Sequence, residues 1–109
     1  MSKQGFIYVL AHKGVHKDVV KIGESADPKE RTRHANIFDP DHKFYLSSAI
    51  LVQDAQTVEK DVHRALKPYR RGSTEFFEVE PTMALIVAKA VAGKRLLVDG
   101  EAEPRTCPR

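Results

Sequence analysis

Apolar residues cluster in two short runs near the start of the chain, GFIYVLAH (5–12) and DVVKIGE (18–24), with the polar link HKGVHK between them. Their β-branched and aromatic content predicts two strands. A glycine-first, two-residue type II′ turn at Gly14-Val15 would pair them antiparallel, with Tyr8 opposite Lys21. Ile7, Val9, Ala11, Val20 and Ile22 then share one face, and Phe6, Tyr8, Leu10, Val19, Lys21 and Gly23 the other. The first face is all core, whereas the second mixes a phenol and an ammonium with apolar residues.

In SADPKERTRHANI (25–37), Asp27 as N-cap, Pro28 at the first helical position and Glu30 three residues after the aspartate predict a helix start. The helix runs to about Ile37, and its spacing places Arg31 with Pro28 and Ala35, pointing inward or along the sheet. KFYLSSAILV (43–52) reads as a third strand ending in an apolar run suited to two-sided burial. Asp54 is the expected cap of DAQTVEKDVHRALKPY, whose stripe is Ala55, Val58, Val62, Ala65 and Leu66. Glu59 sits at the edge of that stripe and His63 one turn further along the same side. EFFEV (75–79) reads as a short edge strand, and PTMALIVAKAVAGK as a third, apolar helix closed by Gly93 that covers the sheet. The fold class expected is α/β (α+β): a small central antiparallel sheet of three or four strands flanked by three helices. Residues 1–93 form one domain and 94–109 a polar tail.

At 109 residues the chain holds one modest core. Its 41% hydrophobic and 30% charged residues are ordinary globular composition, with no signal-like opening and no apolar run long enough for a bilayer. Cys107 is the single cysteine, which excludes an intrachain disulfide and a thiolate metal cage and fits a reducing, cytoplasmic location. A net charge of +3 and a pI near 9.1 permit a nucleic-acid partner without demanding one.

Tyr8 suits a strand simply as a packed ring with a wet hydroxyl, and Lys21 suits an edge strand as a guard against aggregation. Placed together they have a second use: a nearby cation lowers the phenol's pKa towards the range of a general base. Arg31 is either a helix-surface residue or a fork for a phosphate gaining charge. Glu59 is either an interior ion-pair partner or, with His63, half of an i, i+4 couple at a divalent ion. Lys67, Tyr69, Arg70 and Arg71, like Lys29, Arg33 and His34 on the first helix, form basic surface that either is merely solvated or tracks a polynucleotide backbone. No metal is assigned to His12, His16, His34 or His42.

FIYVL, VKIGES, DPKERTRH, VEKDVHRAL and TEFFEV, in this order, resemble the GIY-YIG nuclease superfamily, and more narrowly its branch of small domains named from a phage T5 open reading frame. The likeness spans roughly Gly5 to Val79. It implies a metal-dependent DNA endonuclease with Tyr8 as general base, Arg31 as phosphate clamp and Glu59 as the ligand of a single Mg2+ or Mn2+. Lys21 stands where the superfamily's second motif has its leading tyrosine, and Phe6 where the first has glycine; His63 and Glu75 match recurring positions. Lys29, Arg33, Lys67, Arg70 and Arg71 would contact single- or double-stranded DNA, with the protein a monomer or homodimer away from any membrane. The alternatives are a non-catalytic nucleic-acid-binding module on the same scaffold, and an adaptor that binds protein through the third helix.

Overall fold

A computed structural model of the chain describes residues 3–14, 19–39 and 43–98. Within them the order is β1 (Gly5–His12), β2 (Val20–Ser25), α1 (Pro28–Ile37), β3 (Phe44–Val52), α2 (Ala55–Ala65), β4 (Phe76–Phe77), α3 (Pro81–Ala92) and β5 (Leu96–Val98). The strands form one antiparallel sheet in the order β4-β2-β1-β3-β5. The α+β class is as expected, but the described residues hold five strands, not three or four. The extra one, Leu96–Val98, comes from the stretch read as tail: Gln53 N donates to Arg95 O at 2.8 Å, and the chain continues along β3. Three apolar residues offered too little periodicity to be read as a strand without that partner.

The alternation of β1 decides the layers. Ile7 and Val9, with Val20, Ile22, Ile50 and Val52, pack under α2 and α3 through Val58, Val62, Leu66, Ala84, Ala88 and Ala92. Tyr8 and Leu10, with Leu46 and Ala49, form a smaller core on the opposite face, joined by Ala35 of α1. β1 lies mid-sheet with both faces covered, so nearly all of it is buried. An extra residue in β3, at the register shift between Val9 and Leu10, keeps Leu46 on the Tyr8 face while Ser48 faces the other way.

Three local expectations are corrected. The hairpin register pairs Tyr8 with Gly23 and Leu10 with Lys21. This lies two residues from the expected register, so every side chain keeps its face while changing its neighbour. It does not fit the expected turn at Gly14-Val15, and residues 15–18 lie outside those described. Asp54 holds the N-cap position of α2, its carbonyl accepting from Val58 N at 3.0 Å, but its side chain makes no capping bond: the residue takes a left-handed conformation (φ 59°, ψ 51°), and its carboxylate accepts from Arg95 Nε at 3.2 Å, tying the end of β3 to the approach to β5. Ala65 is exposed because the last turn of α2 tightens into a 3₁₀ turn (Lys67–Tyr69) and Leu66 takes the core position.

α1 carries almost no apolar face, and only Pro28 of its residues is buried. Polar clamps hold it instead. Asp27 Oδ1 accepts from Glu30 N at 3.2 Å, as the cap signature predicts, and Ser25 Oγ accepts from Asp27 N at 2.9 Å. At the far end Asn36 pairs with the backbone of Phe44, its Nδ2 donating to Phe44 O at 3.0 Å and its Oδ1 accepting from Phe44 N at 2.9 Å. That double bond fixes α1 against β3 and so fixes where Arg31 can reach.

Candidate functional site

The outer edge of β2 is only half paired. β4 matches Val20 and Lys21, and Ile22 N donates to Glu75 O at 3.0 Å, where the strand pairing stops. Side chains of α2 continue along the exposed edge. His63 Nε2 lies 2.9 Å from Ile22 O, and because a carbonyl only accepts, that nitrogen carries the proton. One turn earlier, the Glu59 carboxylate accepts the backbone N–H of Glu24. Glu59 thus reaches from α2 to the backbone of the β2 edge, close enough for its charge to act on Tyr8. Its place at the margin of the apolar stripe, visible from spacing, is what makes this possible.

On that face the Tyr8 ring lies over Gly23. A Cβ built on Gly23 would stand 2.5 Å from Tyr8 Oη, 2.8 Å from Cζ and 3.1 Å from Glu75 Oε1. Only a residue without a side chain leaves room for the phenol and the carboxylate to converge there. Burial pushes the Tyr8 phenol up to about 12; Glu75 adds to the rise, the Arg31 guanidinium opposes it, and Glu59 and Glu24 add smaller increments. Phenol, guanidinium and carboxylates from β1, α1, α2 and the approach to β4 therefore share one electrostatic neighbourhood. Tyr8 is 2% exposed, yet among the described residues only Ser48 Oγ is both sealed from solvent and unpartnered, so the phenol oxygen is not an orphan.

Lys21 does not do what its expected position opposite Tyr8 implied. It faces Leu10, and its Nζ lies 4.0 Å from Glu75 Oε1, so its charge is spent on the carboxylate that raises the phenol. The phenol's pKa moves up, where the sequence led one to expect it to move down. Arg31 is exposed rather than turned into the core; α1 offers it no apolar seat, and the long side chain carries its charge to the site from outside. Burial also holds the Glu59 carboxyl above the usual carboxylate range; His63 pulls it down, and Glu75 and Glu24 push it further up.

The basic residues divide. Arg33 pairs with Glu30 within α1. Arg71 Nε donates to Glu78 Oε2 at 2.8 Å. Arg70 closes its own loop, donating to Thr74 O at 2.5 Å, with its guanidinium carbon 5.7 Å from the Phe77 ring centroid. Lys29 and Lys67 are exposed. The sequence reading gave no role to Glu24 and no firm one to Glu75, although each flanks a strand end; it missed the Asn36 clamp outright, which no periodicity announces.

No set of three His, Cys, Asp or Glu side chains is arranged to hold a metal ion among the described residues. The carboxylates present still suit a hydrated divalent cation of the kind that takes one protein carboxylate and fills its other positions with water and phosphate. Glu59 is half-buried, raised in pKa, and crowded by the negative charges of Glu75 and Glu24, and added positive charge would relieve that crowding.

A small antiparallel sheet with helices on both faces, carrying a polar cluster around one strand edge, defines an α+β domain. The chain belongs to the T5orf172 domain family, whose model matches residues 5–92, and that membership marks it as a nucleic-acid-related domain. No curated protein and no solved structure matches the chain. Among the described residues no helix is long and apolar enough to cross a membrane.

Proposed function

We propose that this domain is a metal-dependent DNA endonuclease of the GIY-YIG type, hydrolysing phosphodiester bonds where Tyr8, Arg31 and Glu59 meet. The observation that carries this reading is that Arg31 and Glu59, from two different helices, both act on the charge of the Tyr8 phenol, which is seated over a glycine that no larger residue could replace. The ionised form of Tyr8, its own proton first lost to bulk water, accepts a proton from a water that attacks phosphorus in line as the new P–O bond forms and the bond to the leaving oxygen breaks, the leaving oxygen taking a proton from solvent. Arg31 meets the charge that builds on the non-bridging oxygens. Glu59 would hold one Mg2+ or Mn2+, which when bound supplies Lewis-acid neutralisation at a phosphoryl or leaving-group oxygen. His63 acts through position, fixing α2 and the Ile22-Gly23 peptide to each other. Tyr8 starts protonated at neutral pH, and Arg31 is the resident charge that favours its basic form.

The second reading, a nucleic-acid-binding module without turnover, is favoured by that same high phenol pKa and by the pairing of Lys21 with Glu75. In either case DNA is the partner, with the exposed Lys67 near the end of α2 suited to its backbone, and the single cysteine fits a cytoplasmic setting. Labelled single- and double-stranded DNA incubated with the protein and Mg2+ or Mn2+ separates the two. The endonuclease predicts products, with rates lowered about 100-fold or more in Tyr8→Phe, Arg31→Ala and Glu59→Gln. Salt-sensitive binding without products under either metal supports the module, and cleavage indifferent to all three substitutions defeats the proposed site.

A further inference from the structure

We infer that the Tyr8 face carries a second site, an aromatic groove that takes an unstacked nucleobase of the bound strand. The inference rests on the nucleic-acid reading above for its occupant, but its own observations lie at the other end of β1. Two strand residues past Tyr8, Leu10 occupies the same face, and two further on stands His12, about 13 Å from Tyr8 along the strand. His12 is 3% exposed and completely oriented: Nδ1 accepts from Gly14 N at 3.0 Å, so Nε2 carries the proton that faces Asp39 Oδ2, also at 3.0 Å. Its ring meets Phe44 edge-on (centroids 4.8 Å apart, planes at 81°), and Phe44 in turn lies 6.2 Å from Phe76.

These rings, with Val19, Phe38 and Arg71, line a groove of about 430 Å³, a size in the range of small-ligand sites. Phe38 at the end of α1 is 86% exposed. A phenyl ring standing in water beside an aromatic groove is a ready-made stacking surface. The occupant follows from the surroundings. Arg71, paired with Glu78, is part of the wall, and exposed Lys13 and Lys43 flank the strand ends beside it, suiting a ligand that brings its own phosphates. Both His12 nitrogens are engaged within the protein, as are the other polar side chains of the wall, Asp39 accepting from Lys43 N and the Thr74 hydroxyl donating to Arg71 O, so the groove offers faces rather than a fixed hydrogen-bond pattern and accepts bases with little regard to identity.

The test compares a short oligothymidylate with an abasic strand of equal length and charge, by fluorescence anisotropy in EDTA. Wild type binds the base-bearing strand about ten-fold or more tighter. Phe38→Ala, a surface change that leaves the core untouched, removes most of that preference and leaves abasic binding unaltered, while Phe38→Tyr restores it. Equal affinity of wild type for the two strands, or an equal loss on both in Phe38→Ala, overturns the base site, as does binding to neither strand. Because chelation removes any metal, the outcome is independent of turnover. A persistent base preference in a protein that never cleaves DNA sinks the nuclease reading and leaves the groove standing; cleavage without a base preference does the reverse.

Discussion

Replacing Gly23 by alanine tests the packing on which the site depends. The new methyl would sit 2.5 Å from Tyr8 Oη and 2.8 Å from Cζ, both well inside contact distance. The Tyr8 ring cannot simply swing away, because it is packed with Leu10, Leu46 and Ala49 on the sheet face. Relief therefore requires the hydroxyl to retreat by about 1 Å, or the hairpin to open. Overpacking of this kind costs about 1–3 kcal/mol. For a domain of this size each kcal/mol lowers Tm by about 4–8 °C. A displacement of about 1 Å at a reacting group lowers turnover by roughly 100-fold. Thermal melts followed by circular dichroism and single-turnover cleavage read the two effects separately. The cause is isolated by repeating Gly23→Ala in a Tyr8→Phe background: losing Oη removes the closest clash, so the alanine destabilises less there, with a coupling of about 0.5–3 kcal/mol. Gly23→Ala with wild-type Tm and full activity, or with a penalty identical in both backgrounds, would refute the reasoning.

Three other substitutions or conditions probe the same arrangement. Glu59 has a raised pKa in the fold, so its protonated form contributes stability that is fully present below the unfolded pKa and lost as pH rises through the folded value. Glu59→Gln, which mimics the neutral form, is therefore expected to be more stable than wild type at pH 7, with the gap closing toward pH 4 in denaturant titrations. With the phenol pushed up to about 12, a Tyr8 base predicts cleavage rising about ten-fold per pH unit between pH 7 and 9, and a flat profile in that range removes Tyr8 from the role. Asn36→Ala breaks both bonds to the Phe44 backbone and should cost about 1–3 kcal/mol by denaturant unfolding. It should also lower cleavage as Arg31 loses its platform, so a variant with unchanged stability and turnover contradicts the clamp.

The strands β1 to β3, the cap at Asp27 and the margin position of Glu59 were legible because each follows from local pattern: alternation, a polar residue before a proline, and a carboxylate beside a helical apolar stripe. The face of every hairpin residue was legible too, since an even register shift preserves the alternation. Its neighbour was not, because residues 13–18 permit several loop lengths and only the closed sheet selects one. That two-residue shift moves Lys21 away from Tyr8 and leaves its Nζ 4.0 Å from Glu75, so burial, with Glu75 adding to it, raises the phenol with no opposing pull from Lys21. Asp54 escaped for a related reason: a helix-capping aspartate and one that binds Arg95 from a left-handed turn look alike until the partner 41 residues away is placed. β5 is the same case, three apolar residues whose strand character exists only against β3.

Tyr8 and Glu59 enter from opposite layers of the sheet, and the proposed hydrolysis requires that they share one cation-binding neighbourhood. The chain has three tyrosines, Tyr8, Tyr45 and Tyr69, so ring-labelled tyrosine gives a small, assignable set of NMR signals. Titrating Mn2+ should broaden the Tyr8 resonances well before those of Tyr45 and Tyr69, and Glu59→Gln should abolish the effect. Uniform broadening, broadening confined to Tyr45 or Tyr69, or selective Tyr8 broadening that survives Glu59→Gln would contradict it.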